Sequence, residues 1–194
     1  MVCAFLMVFL VVAPAQADFY TDQSAWEAAV SSFAAVDLSG LTSYSVYSSV
    51  AMGDGQTLSF SPAVEARQVG AGWATWSGGR TPMVLYTQGA YSVTGTFDGG
   101  YTAFGLYAEP NPFALYEFTF ETVEGFVTQW IHGSSGASFL GFATSSIITG
   151  WTLSSTVDFA FGEMVYGTSA VPEPATMLLL GLGLVGLAAL RRKF

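Results

Sequence analysis

The chain has 194 residues, 52% hydrophobic, 15% aromatic and 10% charged, which excludes a disordered polypeptide and supplies one domain of ordinary size. The formal net charge is -9, yet three of the five basic residues are Arg191, Arg192 and Lys193. Residues 18–171 hold 13 acidic side chains against Arg67 and Arg80, a net -11, so nucleic acid, which needs clustered Lys and Arg, is excluded as a partner.

In chain order, Val2 to Val12 is uninterrupted apolar sequence, and Ala13 to Ala17 reads APAQA. The run falls far short of the ~20 residues that cross a bilayer, and the small residues Ala15 and Ala17 have signal-peptidase spacing. Residues 1–17 therefore read as a secretory signal peptide cut after Ala17. No basic residue precedes the run, which points to a start upstream of Met1. Cys3, the sole cysteine, would leave with the signal, so the mature protein has neither disulfide nor thiol chemistry.

Residues 18–169 read as one exported domain. Ser24 and Glu27 have capping-box spacing, and Trp26, Ala29, Val30 and Phe33 recur at helical intervals, which predicts one short amphipathic helix. From Ala35 onward, β-branched, aromatic and Ser/Thr residues broken by glycine predict strands at Val46–Met52, Gln56–Phe60, Met83–Thr87, Val93–Phe97 and Tyr101–Ala108. Asp98-Gly99-Gly100 reads as a hairpin turn between the last two. Further strands are predicted at Leu115–Thr122, Phe126–Ile131, Phe139–Ala143, Ile147–Leu153 and Val157–Tyr166. About ten strands and one helix predict an all-β sandwich or jelly roll.

At the C-terminus, Val171-Pro172-Glu173-Pro174 precedes an apolar run, Ala175 to Leu190, and then Arg191-Arg192-Lys193-Phe194. A helix over the run would span about 24 Å at ~1.5 Å per residue, and snorkelling arginine with local thinning would fit it to a hydrocarbon core of about 30 Å. The basic tail would stay cytoplasmic, leaving everything before Pro172 outside the inner membrane. Motif, apolar run, basic cluster and chain end, in that order, resemble a PEP-CTERM sorting signal. The resemblance implies that residues 170–194 are a sorting segment and that Pro172, Glu173 and Pro174 are recognised by an exosortase, a membrane-embedded, transpeptidase-like protease. It also implies delivery to the cell surface or an extracellular polysaccharide (biofilm) matrix. Two prolines suit such a motif because they hold the backbone extended around Glu173. Gly181, Gly183 and Gly186 spell G-x-G-x-x-G, but no strand precedes them, and glycines are common in membrane helices.

The middle of the chain loosely resembles the β-rich exported region of many PEP-CTERM proteins. The resemblance rests on F-Y-T-D-Q-S-A-W at the start, A-F-G-L-Y-A-E-P-N-P-F at Ala103 to Phe113, F-L-G-F-A-T at Phe139 to Thr144 and D-F-A-F-G-E-M-V-Y-G at Asp158 to Gly167. It implies a sandwich and no activity.

Residues with chemical potential are few. His132 is the sole histidine and lies beside Ser134 and Ser135 without G-x-S-x-G, a weak basis for Ser-His hydrolysis. With no mature cysteine, the usual zinc sites cannot be assembled. Calcium needs only carboxylates and carbonyls, and Asp54, Asp98 and Asp158 are its weak candidates, although Asp before Gly is also ordinary turn chemistry at the first two. Glu117 and Glu121 would lie about 13 Å apart on one strand face, beyond glycosidase geometry. Aromatic platforms bind sugars, and Trp73, Trp76, Tyr91, Tyr101, Tyr107 and Trp130 could contribute; the loop residues Trp73 and Trp76, with Arg80, Glu109 and Asn111, are the candidate ligand-binding set, and exposure of the two indoles separates a platform from a core. The expectation is a structural, non-enzymatic surface or matrix protein without cofactor. A carbohydrate-binding module and an exported hydrolase are the alternatives.

Overall fold

Alternation of aromatic and polar residues dictates the strands. Leu115–Thr122, with Phe118 and Phe120 on one face and Glu117, Thr119 and Glu121 on the other, is a strand over those same residues in the computed structural model, which describes residues 17–170. The signal peptide before Ala17, and the sorting motif, apolar run and basic tail, lie outside the described residues. In chain order the elements are β1 (Asp18–Tyr20), α1 (Gln23–Ala28), β2 (Val30–Ala35), β3 (Val46–Ala51), β4 (Thr57–Gln68) and β5 (Met83–Tyr86). They continue as β6 (Ser92–Pro110), β7 (Leu115–Thr122), β8 (Gly125–His132), β9 (Ser138–Ser155) and β10 (Phe159–Ser169). The result is an all-β, sandwich-like domain with one short helix. Among the described residues no helix is long and apolar enough to cross a membrane.

Two long antiparallel strands, β6 and β9, form the spine. The first half of β6 pairs with β4 and with the end of β9, through Ser61↔Thr94 and Thr94↔Thr152. Its second half pairs with β10 and with the start of β9, through Phe104↔Tyr166 and Phe104↔Phe142. Between the halves the register slips twice, first with extra residues on β6 around Asp98-Gly99-Gly100, then on β9 around Thr144 to Ile147. Bulges of this kind bend a strand so that it can serve both layers of a sandwich. On one side β5 joins β10 to β4; on the other β7 and β8 extend the sheet from β9.

Four sequence expectations are corrected here. Asp98-Gly99-Gly100 is not a hairpin turn: the chain keeps its direction through it, because Val93–Phe97 and Tyr101–Ala108 both pair with β9. Gly100, at φ +79, supplies the left-handed residue that a bulge needs as much as a turn does. Likewise Phe139–Ala143 and Ile147–Leu153 belong to the single strand β9. The helix stops at Ala28, capped by Asp22, whose Oδ1 accepts from Ala25 N at 2.8 Å, and not by Ser24. Val30 and Phe33 instead lie on β2, drawn into pairing with β10.

The inward faces build an aromatic core. Trp151 is buried against Phe104, Phe120 and Phe161, with ring centroids 5.5, 5.9 and 5.8 Å away. Only glycine fits beneath it, because a Cβ at Gly95 would come within 2.3 Å of the indole. Trp26 on α1 is also fully buried and donates from its indole N–H to the Phe142 carbonyl at 2.8 Å.

The outward face of the β4–β6–β9–β7–β8 region has another composition. Register places Ser61, Thr94, Thr152, Glu121 and Phe126 side by side on five neighbouring strands. A second row runs Ser92, Ser154, Thr119, Thr128. At the last residues of the fold, Ala170 N–H donates to the Ala29 carbonyl at 2.9 Å, fixing the end of β10 beside α1.

Candidate functional site

Most of the sequence-selected residues converge where the loop between β4 and β5 folds over the ends of β6 and β10. Trp73 and Trp76 sit on that loop, Glu109 near the end of β6, Asn111 just after it and Asp158 just before β10. The Trp73 indole N–H donates to Glu109 Oε2 at 3.2 Å, and the Thr75 hydroxyl donates to Glu109 Oε1. The Trp76 indole N–H donates to Glu163 Oε2 at 2.5 Å, and Arg80 Nη2 pairs with the same oxygen at 3.0 Å while its guanidinium lies over the Tyr107 ring. Asp158 Oδ2 accepts from Asn111 Nδ2 at 3.0 Å and from the Tyr86 hydroxyl. Above these lies a cleft of about 460 Å³ lined by Gly70 to Thr75, Pro110, Asn111 and Phe113.

The indoles do not form an exposed platform. Trp73 and Trp76 are only 8% and 5% exposed and pack with Val69, Val84, Ala137 and Ala160 in a second small core. Removal of the apolar rings from water drives this burial, and the bonds to Glu109 and Glu163 permit it by satisfying the one polar atom of each indole. Glu163, Thr75 and Tyr86 complete the arrangement and were not singled out in the sequence. The sole hint of Glu163 is a carboxylate interrupting an apolar strand, where it takes φ 44 at a register slip of β10.

Glu109 has no exposed surface. Burial raises its carboxyl above the usual range, and the bonds from Thr75 and Trp73 offset this only in part. Burial likewise pushes the Tyr86 phenol up to about 12, reinforced by its bond to Asp158 and that residue's charge. Because the folded pKa of Glu109 lies above the unfolded one, its contribution favours folding below the unfolded value and is lost as pH rises through the folded value. Glu109→Gln is therefore expected to raise the melting temperature at neutral pH by about 2–4 °C for each kcal/mol of relieved burial, with the gain disappearing in acid. The amide fits: its oxygen accepts from Trp73, and its NH₂ donates to Thr75, which already has the Gly133 carbonyl as acceptor at 3.1 Å. Glu109→Ala leaves the Trp73 indole N–H unpartnered and should cost about 1–3 kcal/mol. Thermal melts of both variants across pH check the sign; a glutamine variant less stable than wild type at neutral pH would refute it.

The remaining candidates lie apart. Asp54 accepts from Gln56 N at 3.1 Å and from the Tyr101 hydroxyl at 2.6 Å, and Asp98 accepts from Thr57 N at 3.0 Å. Those bonds anchor a turn and the β6 bulge, away from Asp158. Among the described residues no three His, Cys, Asp or Glu side chains gather as a metal-binding group. His132 Nδ1 meets Ser134 N at 3.2 Å and Ser134 Oγ at 2.9 Å, a local turn contact, and among the described residues no carboxylate is hydrogen-bonded to the ring.

Compared with known families, residues 170–193 match the model of the PEP-CTERM protein-sorting motif. No match is found among the curated proteins. The motif implies export and C-terminal, membrane-anchored sorting by an exosortase, and it begins where β10 ends.

Proposed function

We propose that this protein is a structural, non-enzymatic component of the cell surface or extracellular matrix. A signal peptide would carry it across the inner membrane, and an exosortase would release it from its apolar tail at Pro172 to Pro174. The observation that carries the reading is the sorting motif at residues 170–193, placed directly after the last strand of the domain. The fold lends support, because the carboxylates of the candidate site are held in internal bonds: Glu109 to Trp73 and Thr75, Glu163 to Trp76 and Arg80, Asp158 to Tyr86 and Asn111. Groups so engaged act as struts that hold the loop onto the strand ends. The reading includes no resident cofactor and no calcium.

Intact mass of the protein from the surface fraction of an exosortase-bearing host tests this. The expected species begins at Asp18 and ends near Pro172. A mass that retains Leu190 to Phe194 would mean permanent anchoring and would overturn the sorting role.

A further inference from the structure

The outward face of β6, β9, β7 and β8 is unlike an ordinary solvated sheet. It is a field of short hydroxyls, with Thr94 and Thr152 hydrogen-bonded across strands at 3.1 Å, and no Lys or Arg stands in its rows. A shallow, open groove of about 450 Å³ lies on it, lined by Thr94, Thr96, Glu121, Val123 and Thr152 among others. Along the edge strand β8 stand two large exposed rings, Phe126 and Trp130, 63% and 61% accessible and four residues apart on the same side. Directly opposite them across the ladder are Glu121 and Glu117.

We infer that this face binds a neutral polysaccharide strand, with sugar rings stacked on Trp130 and Phe126 and sugar hydroxyls received by the threonine groove and Glu121. Charge selects the occupant. Two carboxylates beside the rings and no cation repel uronates, phosphates and sulfated chains, leaving uncharged sugars, whose hydroxyls donate well to carboxylates. A purely apolar partner would strip water from a field of hydroxyls without returning hydrogen bonds, which is costly. A sugar chain offers both surfaces needed, C–H faces for the rings and hydroxyls for the threonines. The site is separate from the Trp73 cleft, whose indoles are buried. It also does not depend on sorting, because binding is read on the purified chain.

The test is native affinity electrophoresis of the full chain in mild detergent, through gels containing mixed-linkage β-glucan, galactomannan or dextran, with alginate as the polyanionic control. Retardation by at least one neutral polymer and none by alginate is expected. Trp130→Ala should weaken it about tenfold, the upper range for losing one aromatic contact. The double variant Thr94→Val, Thr152→Val, which leaves the rings in place, should weaken it several-fold, and unchanged melting temperatures would show that both variants fold. No retardation by any neutral polymer, equal retardation by alginate, or indifference to both variants would overturn the proposal. A concentration-dependent dimer in light scattering, lost in Trp130→Ala and without glycan binding, would assign the face to a second copy pairing through β8 and would equally overturn it.

Discussion

Replacing Glu173 by alanine, or Pro172 and Pro174 together, is expected to leave the protein uncleaved in the inner membrane and to lower its amount in the surface fraction roughly tenfold or more. A recognition contact worth about 1.4 kcal/mol already accounts for a tenfold change. Glu173 is the one charged residue between Glu163 and Arg191, so it is the single electrostatic landmark next to the apolar run. Each proline fixes its own φ and disfavours the helical region for the residue before it, a property of the sequence that suits a motif read by a protease cleft. Fractionation with intact mass separates the causes. The Glu173 variant removes the charge and keeps both prolines, whereas the double proline variant does the reverse. Either variant appearing at the surface at wild-type level, with a shortened mass, would refute the role given to the motif.

The second large effect concerns the core. Trp151→Ala should cost about 3–5 kcal/mol, a large share of the roughly 5–15 kcal/mol that stabilises a typical domain. The indole is only 2% exposed, stacks on Phe104 at an interplanar angle of 17° and fills the space that Gly95 leaves open. Truncation would leave a cavity among rings that cannot collapse, since Phe104, Phe120 and Phe161 are held by three different strands. Gly95→Ala should act from the opposite side by overpacking, with a cost of about 1–3 kcal/mol. Denaturant melts report both. A midpoint for Trp151→Ala close to wild type would refute the central place given to this ring.

Both results depend on features unequally legible in the sequence. Leu115–Thr122 was legible because strict alternation is a local property, and Met83–Tyr86 because an apolar run between turn residues has few other fates. Asp98-Gly99-Gly100 was misread because a bulge and a turn draw on the same residues; only pairing with Ile148 and Gly150, some fifty positions away, decides between them. Val30 and Phe33 fit a helical period but were claimed by β10, a tertiary override of a local pattern. At the candidate site, Trp73, Trp76, Arg80, Glu109 and Asn111 were picked out and most do converge. Their burial was not legible, because the carboxylates that satisfy the indole N–H groups lie 36 and 87 residues further along the chain. The hydroxyl rows are not legible in the sequence for a related reason. Each Ser or Thr is unremarkable on its own strand, and the rows exist only once the register of five strands is fixed.

The bond from Ala170 to Ala29 sets a short leash. Only Val171 separates that anchor from Pro172, and two peptide steps reach at most about 7 Å. While that bond holds, an enzyme that grips the motif works almost in contact with the edge formed by α1, the start of β2 and the end of β10. The folded edge then has to fit beside the enzyme, so substitutions on it are expected to alter cleavage even with Pro172, Glu173 and Pro174 intact.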